Sequence, residues 1–121
     1  MAVRAVRGAT QVAADAREPI MEAVGELVTR MLAVNEVDPA DVISVILTST
    51  PDLVSVYPAT AARLAGLEDV PLLSAQEVAV PGAMPRVVRV MAHVESQQPR
   101  SEIRHVYLRG TESLRRDTAD D

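Results

Sequence analysis

The sequence contains no cysteine, tryptophan or phenylalanine, and its only aromatic residues are two tyrosines, Tyr57 and Tyr107. Without cysteine the chain can form no disulfide, thiol nucleophile or thiolate metal site, and this absence fits a reducing cytoplasm. Hydrophobic residues still make up 48% of the 121 residues. The core must therefore be built from Val, Leu, Ile, Met and Ala.

The chain also lacks a long apolar run. No segment approaches the roughly 20 apolar residues that a helix needs to span a bilayer, and the N-terminus has no continuous apolar segment of the signal-peptide type. We therefore expect a soluble, cytoplasmic protein with no membrane partner. The net charge of -5 argues against a general nucleic-acid binder, because phosphate binding needs a concentrated basic face.

Several classes of catalytic site are missing as well. The sequence has no phosphate-binding P-loop and no GxGxxG fingerprint. His93 and His105 are not accompanied by carboxylates at metal-ligand spacing, so we expect no metal site, and the pattern favours histidines on a strand surface. Ser49 and Ser74 lack the context of a nucleophile elbow, so a Ser/His/Asp triad is not supported.

The hydrophobic patterning predicts an α+β fold with a mixed sheet of about five strands and one long helix on one face. The helix should run from near Ala16 to near Asn35, with Asp15 as the N-cap of a capping box that includes Glu18. A short helix is expected from Pro58 to Ala65. The first strand is predicted within residues 3–10, with Arg7 at its end, and the others over residues 42–49, 70–77, 85–96 and 102–108.

The predicted elements form one domain over residues 1–116, followed by a flexible polar tail over residues 117–121. One long helix can cover only one face of such a sheet. The other face carries polar residues among apolar ones, and other copies of the chain could cover it.

All twelve basic residues are arginine, and two of them occupy informative strand positions. Arg7 ends the first predicted strand, and Arg89 lies inside the fourth. An arginine in an apolar strand is costly unless it is paired or reaches a wet cavity. The pattern leaves two interpretations open, an internal ion pair with Glu77 as the natural partner, or an anion-binding pocket.

Six segments follow one another along the chain: RGATQV near the N-terminus, TSTPDL (48–53), YPATAAR (57–63), AQEVAVPG (75–82), RVVRVMAHV (86–94) and IRHVYLRG (103–110). In this order they resemble the monofunctional AroH-class chorismate mutases, and the resemblance runs from about residue 2 to residue 116. It implies a homotrimeric pseudo-α/β-barrel with active sites at the subunit interfaces, and the Claisen rearrangement of chorismate to prephenate in phenylalanine and tyrosine biosynthesis. It implies no cofactor, since the rearrangement needs only positioning and charge complementarity.

The same resemblance implies roles for individual residues. Arg89 matches the central catalytic arginine, which donates to the ether oxygen of the substrate. Arg7 and Tyr107 match the residues that hold the side-chain carboxylate, and Glu77 matches the acid that accepts a hydrogen bond from the ring hydroxyl. Further substrate-binding positions are Leu114 and Arg115, which would close over the site, and, from the neighbouring subunit, Tyr57, Ala59, Thr60, Arg63, Leu73 and Ser74.

Three of these positions depart from the family pattern. Family members often have phenylalanine at the position of Tyr57, lysine at that of Thr60 and cysteine at that of Ser74. The loss of the lysine removes one positive charge from a site for a dicarboxylate. The alternative function is a trimeric protein of similar fold that binds a small carboxylate without turnover.

Overall fold

The structure, a computed structural model, describes residues 1–115, so the tail predicted over residues 117–121 lies outside the described residues. Within them the chain forms a five-stranded sheet and two α-helices. The helices are α1 (Arg17–Val34) and α2 (Pro58–Leu64). The strands are β1 (Ala2–Gln11), β2 (Val42–Ser49), β3 (Leu72–Gln76), β4 (Val87–Ser96) and β5 (Val106–Tyr107).

The sheet is mixed, with the strand order β3-β2-β4-β1-β5. Strand β4 pairs antiparallel with both β1 and β2, whereas β3 pairs parallel with β2 and β5 pairs parallel with β1. Helix α2 lies in the connection from β2 to β3, as a parallel pair requires a crossover. The predicted α+β class and the mixed sheet are confirmed.

One face of the sheet is covered by the helices and forms the core. Ile20, Leu27 and Met31 of α1 are completely or almost completely buried, as the helical spacing of the apolar residues predicts. Gly8 of β1 lies so close to α1 that an added Cβ would be 2.6 Å from the Met31 sulfur. Strand β4 contributes every second residue to this core, namely Val88, Val90, Ala92 and Val94.

The opposite face, which we call the open face, is covered by neither α1 nor α2. Several of its apolar side chains are partly exposed, for example Ile46 at 38% and Leu73 at 62%. The strand register places on this face Ala5, Arg7 and Ala9 of β1, Arg89, Met91 and His93 of β4, Ile46 and Thr48 of β2, and Leu73 and Ala75 of β3.

The last strand is shorter than predicted. Only Val106 and Tyr107 pair with β1, whereas the prediction covered residues 102–108, and Arg100–Glu102 form a 3₁₀ turn instead. The Asn35 side chain accepts a hydrogen bond from the Arg104 N–H at 2.7 Å and donates one to the Arg104 carbonyl at 2.9 Å. These backbone groups are therefore satisfied by a side chain and not by a neighbouring strand.

The predicted capping box at the start of α1 is also wrong. The N-cap is Ala16, and it makes no side-chain capping hydrogen bond. The Asp15 carboxylate accepts hydrogen bonds from the N–H groups of Val54 and Ser55, both at 3.0 Å. Asp15 thus joins the start of α1 to the loop before α2. Its carboxylate accepts hydrogen bonds from the N–H groups of this loop and not from those at the start of the helix.

Among residues 1–115, neither helix is long and apolar enough to cross a membrane.

Candidate active site

Polar residues form a row across the open face, from one edge of the sheet to the other. Arg89 in the central strand β4 lies opposite Thr48 of β2 on one side and opposite Ala9 of β1 on the other. Ala9 in turn pairs with Tyr107 of β5. Because directly opposed residues of neighbouring strands point to the same face, this register brings Thr48, Arg89 and Tyr107 onto one surface.

Glu77 joins this row from the end of β3. Its backbone N–H donates to the Ser49 carbonyl at 2.9 Å, which extends the β2–β3 ladder by one residue. The carboxylate oxygen Oε2 lies 3.4 Å from Arg89 Nε and accepts a hydrogen bond from Thr48 Oγ1 at 2.7 Å. The ion pair between Arg89 and Glu77, one of the two sequence interpretations, is confirmed.

The surroundings of this ion pair are neither fully buried nor fully solvated. The Arg89 side chain is 34% exposed and the Glu77 side chain 19% exposed. Solvent screening therefore limits the contribution of the pair to stability. The exposed part of the guanidinium can still donate to a ligand on the open face.

Arg7 lies on the same face, two residues before Ala9 in β1. Its backbone N–H donates to His105 Nδ1 at 3.0 Å. Burial lowers the pKa of His105, and the positive charges of Arg7 and Arg115 lower it further. The lowered pKa favours the neutral form of His105, in which Nδ1 can accept this hydrogen bond.

Tyr107 is 7% exposed, and the chain beyond it returns over its ring. Arg115, in the 3₁₀ turn Glu112–Arg115, lies with its guanidinium carbon 5.3 Å from the ring centroid. This distance allows a cation–π contact. The structure thus brings Arg115 next to Tyr107, with half-buried Leu114 in the same turn.

Most of the second group of predicted site residues, those expected from the neighbouring subunit, lie away from this row. Ser74 pairs with Leu47, a fully buried residue of the helix-covered face, and the Ser74 hydroxyl is buried with no hydrogen-bond partner among residues 1–115. Ser74 and Tyr57 line a cleft of about 550 Å³. Ala59, Thr60 and Arg63 belong to α2, and Leu73 lies on the open face.

A single chain does not bring the two groups together. The described residues that line the cleft include none of Arg7, Glu77, Arg89 and Tyr107. Tyr57 is 75% exposed and Leu73 is 62% exposed. Within one chain, the cleft with Tyr57 and Ser74 is therefore separate from the row of Thr48, Arg89 and Tyr107, whereas Leu73 shares the open face with that row.

Two residues of the site region were missed from the sequence. Thr48 looked like one more β-branched residue of a strand, although its position opposite Arg89 follows once the strand pairing is known. His105 was expected on a strand surface, but it lies outside β5 and contacts the Arg7 backbone. Only the pairing between distant segments identifies either residue.

The chemistry of this region follows from its groups. Two guanidinium groups, Arg7 and Arg89, lie near a carboxylate acceptor and a phenol on one face. They can bind an anionic ligand and stabilise negative charge that develops on it. Among residues 1–115, no three His, Asp or Glu side chains are grouped so as to hold a metal ion.

Comparison with known proteins gives concordant matches over nearly the whole chain. The family model described as chorismate mutase type I matches residues 3–118. Chorismate mutase AroH of Thermus thermophilus is 47% identical over 116 residues, which is 95% of each chain. Chorismate mutase AroH of Bacillus subtilis (strain 168) is 40% identical over 118 residues, which is 97% of this chain and 93% of the relative.

A solved structure agrees with these matches. The chorismate mutase from Clostridium thermocellum superimposes with a TM-score of 0.88 at 37% identity, covering 91% of this chain and 98% of the other.

Proposed function

This chain belongs to the chorismate mutase type I family, and we propose that the open-face row of Glu77, Arg89 and Tyr107 forms one half of its active site. The chain is an isomerase that converts chorismate to prephenate, a step in the biosynthesis of the aromatic amino acids. The comparisons give no support to a carboxylate-binding protein without turnover. The observation that carries the site proposal is the Arg89–Glu77 pair at 3.4 Å on a face that the chain leaves open.

The reaction fits a site of this composition. The rearrangement breaks a C–O bond while it forms a C–C bond within the same molecule, without proton transfer and without a covalent intermediate. Negative charge develops on the ether oxygen as the C–O bond breaks. A site that holds the substrate in a reactive conformation and offers a fixed donor to that oxygen can therefore accelerate the reaction with no cofactor.

In this proposal the central donor is Arg89, whose guanidinium hydrogen-bonds the ether oxygen. The ion pair with Glu77 fixes the orientation of the guanidinium, and Glu77 also accepts a hydrogen bond from the ring hydroxyl. Arg7 and Tyr107 bind the side-chain carboxylate, for which a charged fork and a phenol are suitable donors. The two interpretations of Glu77, ion-pair partner and substrate ligand, are thus compatible.

The second half of the site comes from another copy of the chain. We propose a homotrimer whose sheets surround a pseudo-barrel core. The exposed apolar side chains of Ile46 and Leu73 support this arrangement, because a second copy would remove them from water. So does the position of Ser74, which pairs with Leu47 of the helix-covered face, whereas Arg89 lies on the open face.

The residues that the second copy supplies have graded roles. Arg63 assists the ring carboxylate, and Ser74, whose buried hydroxyl lacks a partner among residues 1–115, hydrogen-bonds a substrate hydroxyl. Tyr57, Ala59, Thr60 and Leu73 complete the wall of the pocket. Leu114 and Arg115 close over the site from the first chain, and the cysteine-free sequence supports a cytoplasmic location.

The test is the turnover of Arg89→Ala, measured as the loss of chorismate absorbance. Removal of one preorganised donor should lower kcat by about 10²–10³-fold and change the affinity far less. The matched control is Arg30→Ala, which removes an exposed arginine of α1 and should retain wild-type kcat. Circular dichroism should show both variants folded.

Two results would contradict the proposal. Near-wild-type turnover of Arg89→Ala would remove Arg89 from the catalytic role. Saturable binding of chorismate by the wild-type protein, with no loss of absorbance, would instead indicate a binding protein.

A further inference from the structure

Thr48 contacts the proposed site without being one of its predicted ligands. Its side chain lies on the open face directly opposite Arg89. Its hydroxyl donates to Glu77 Oε2 at 2.7 Å, and the same oxygen is 3.4 Å from Arg89 Nε. A single carboxylate oxygen therefore connects the hydroxyl of β2 with the guanidinium of β4.

Glu77 needs such a support because of where it lies. It follows the last residue of β3, Gln76, so its backbone is fixed by one ladder hydrogen bond to Ser49 and not by a strand on both sides. A glutamate side chain has three rotatable bonds, and its terminal torsion is broad. A donor from the neighbouring strand limits the orientations of the carboxylate.

Threonine is well suited to this support. Its β-branched side chain is restricted at χ1, so the hydroxyl keeps one direction. Thr48 is also half-buried, which strengthens a hydrogen bond to an ionised acceptor relative to one in water. The position opposite Arg89 allows the hydroxyl to reach the carboxylate that pairs with the guanidinium.

We propose that Thr48 is a positioning residue for the rearrangement: its hydroxyl fixes the Glu77 carboxylate, which in turn holds the Arg89 guanidinium towards the ether oxygen. This inference rests on the proposed function. Thr48 contacts no reacting atom, and its effect passes through Glu77. The methyl group of Thr48 contributes to the sheet surface, whereas the hydroxyl supports the site.

The first experiment separates the hydroxyl from the methyl group. Thr48→Val keeps the shape and the β-branching but removes the donor, so kcat/KM should fall about tenfold, mainly through kcat. Thr48→Ser keeps the donor and should stay within about threefold of wild type. The matched control is Thr10→Val, which removes a hydroxyl that is buried on the helix-covered face and has no partner among residues 1–115; its kcat should not change.

The second experiment tests whether Thr48 acts through Glu77. In a Glu77→Ala background there is no carboxylate to fix, so Thr48→Val should change kcat by less than about twofold. Thermal unfolding of each variant accompanies the kinetics. A purely structural role would lower the melting temperature in both backgrounds and would give the same kinetic loss in both.

The outcomes distinguish this inference from the proposed function. Equal losses from Thr48→Val in both backgrounds, or a Thr48→Ser variant as impaired as Thr48→Val, would overturn the role of Thr48. Wild-type kcat in Thr48→Val, with Arg89→Ala inactive, would also overturn it and leave the proposed function intact. A wild-type protein with no turnover would overturn the proposed function itself.

Discussion

The two faces of the sheet are built from the same strands but differ in what covers them and in how deeply their side chains are buried. Along β4, Val88 and Val90 point to the helices and are almost completely buried, whereas Arg89 and Met91, between and beside them, point to the open face and stay half-exposed. The first face is completed by the chain itself. The second face is left open by the two helices, and in our proposal a second copy of the chain and the substrate cover it.

This difference in burial separates the interactions that stabilise the fold from those that we assign to function. On the helix-covered face, close packing leaves no room even for one added carbon at Gly8. On the open face, Arg89 and Glu77 form a partly exposed ion pair that contributes little to folding. Substitutions on the two faces should therefore fail in different ways.

The largest expected effect comes from a substitution that disrupts the proposed contact between copies on the open face. Ile46→Arg places a charge where the proposed trimer buries an aliphatic side chain, so the variant should lose assembly and, with it, turnover. Light scattering would give the molar mass, which should be that of three chains for wild type and of one chain for the variant. The control, Thr29→Arg, adds the same charge at an exposed position of α1 and should remain trimeric. A wild-type protein that is a stable monomer would contradict the trimer proposal.

The next largest effect tests how closely the helix-covered face is packed. A Cβ at Gly8 would be 2.6 Å from the Met31 sulfur and 3.1 Å from the Val106 carbonyl oxygen, so Gly8→Ala should lower the free energy of unfolding by about 1–3 kcal/mol. The contrasting variant is Gly25→Ala. An added Cβ there meets nothing within 4 Å, and the helix should gain about 0.5–1 kcal/mol. Chemical denaturation measures both, and destabilisation by both would refute the packing argument.

The smallest effect is a pH dependence at the edge of the open face. The pKa of His105 lies below its ordinary value of 6.5, because burial and then the charges of Arg7 and Arg115 disfavour the charged ring. As the pH falls below 6.5, the unfolded chain takes up this proton first, so the stability contribution is complete above 6.5 and is lost as the pH falls through the folded pKa. The cavity beside His105 also brings Arg4, His93 and Arg100 near it.

The matched variant for this pH dependence is His105→Asn, which keeps an acceptor for the Arg7 N–H but does not titrate. The free energy of unfolding, followed by denaturation from pH 8 to pH 5, should fall less on the acid side for the variant than for wild type. Identical slopes would mean that His105 does not contribute to the acid sensitivity.

Much of the fold could be predicted because its patterns are local. The alternation of Val88, Val90, Ala92 and Val94 fixed both the strand and its buried face, and the helical spacing of Ile20, Leu27 and Met31 did the same for α1. The predicted length of the fifth strand was wrong because side-chain hydrogen bonds from Asn35 replace ladder bonds at Arg104. No local sequence pattern reveals such a distant partner.

For the candidate site, too, some residues could be predicted from local sequence patterns and others could not. Arg89 could be identified because an arginine inside an apolar strand is costly unless it is paired or reaches a wet cavity. Glu77 was its natural partner. Thr48 could not stand out, because threonine is common in strands and its importance depends on the register between β2 and β4. The roles of the remaining site residues rest on family resemblance. Ser74, for example, lies on the helix-covered face and Arg89 on the open face.

The short edge strand β3 has a consequence for aggregation. An unpaired strand edge offers its backbone N–H and C=O groups to any other strand, and long, flat edges are the ones that polymerise. Strand β3 has only five residues, from Leu72 to Gln76, and Pro71 precedes it. On this side of the sheet, the chain therefore exposes little backbone that could template a fibril.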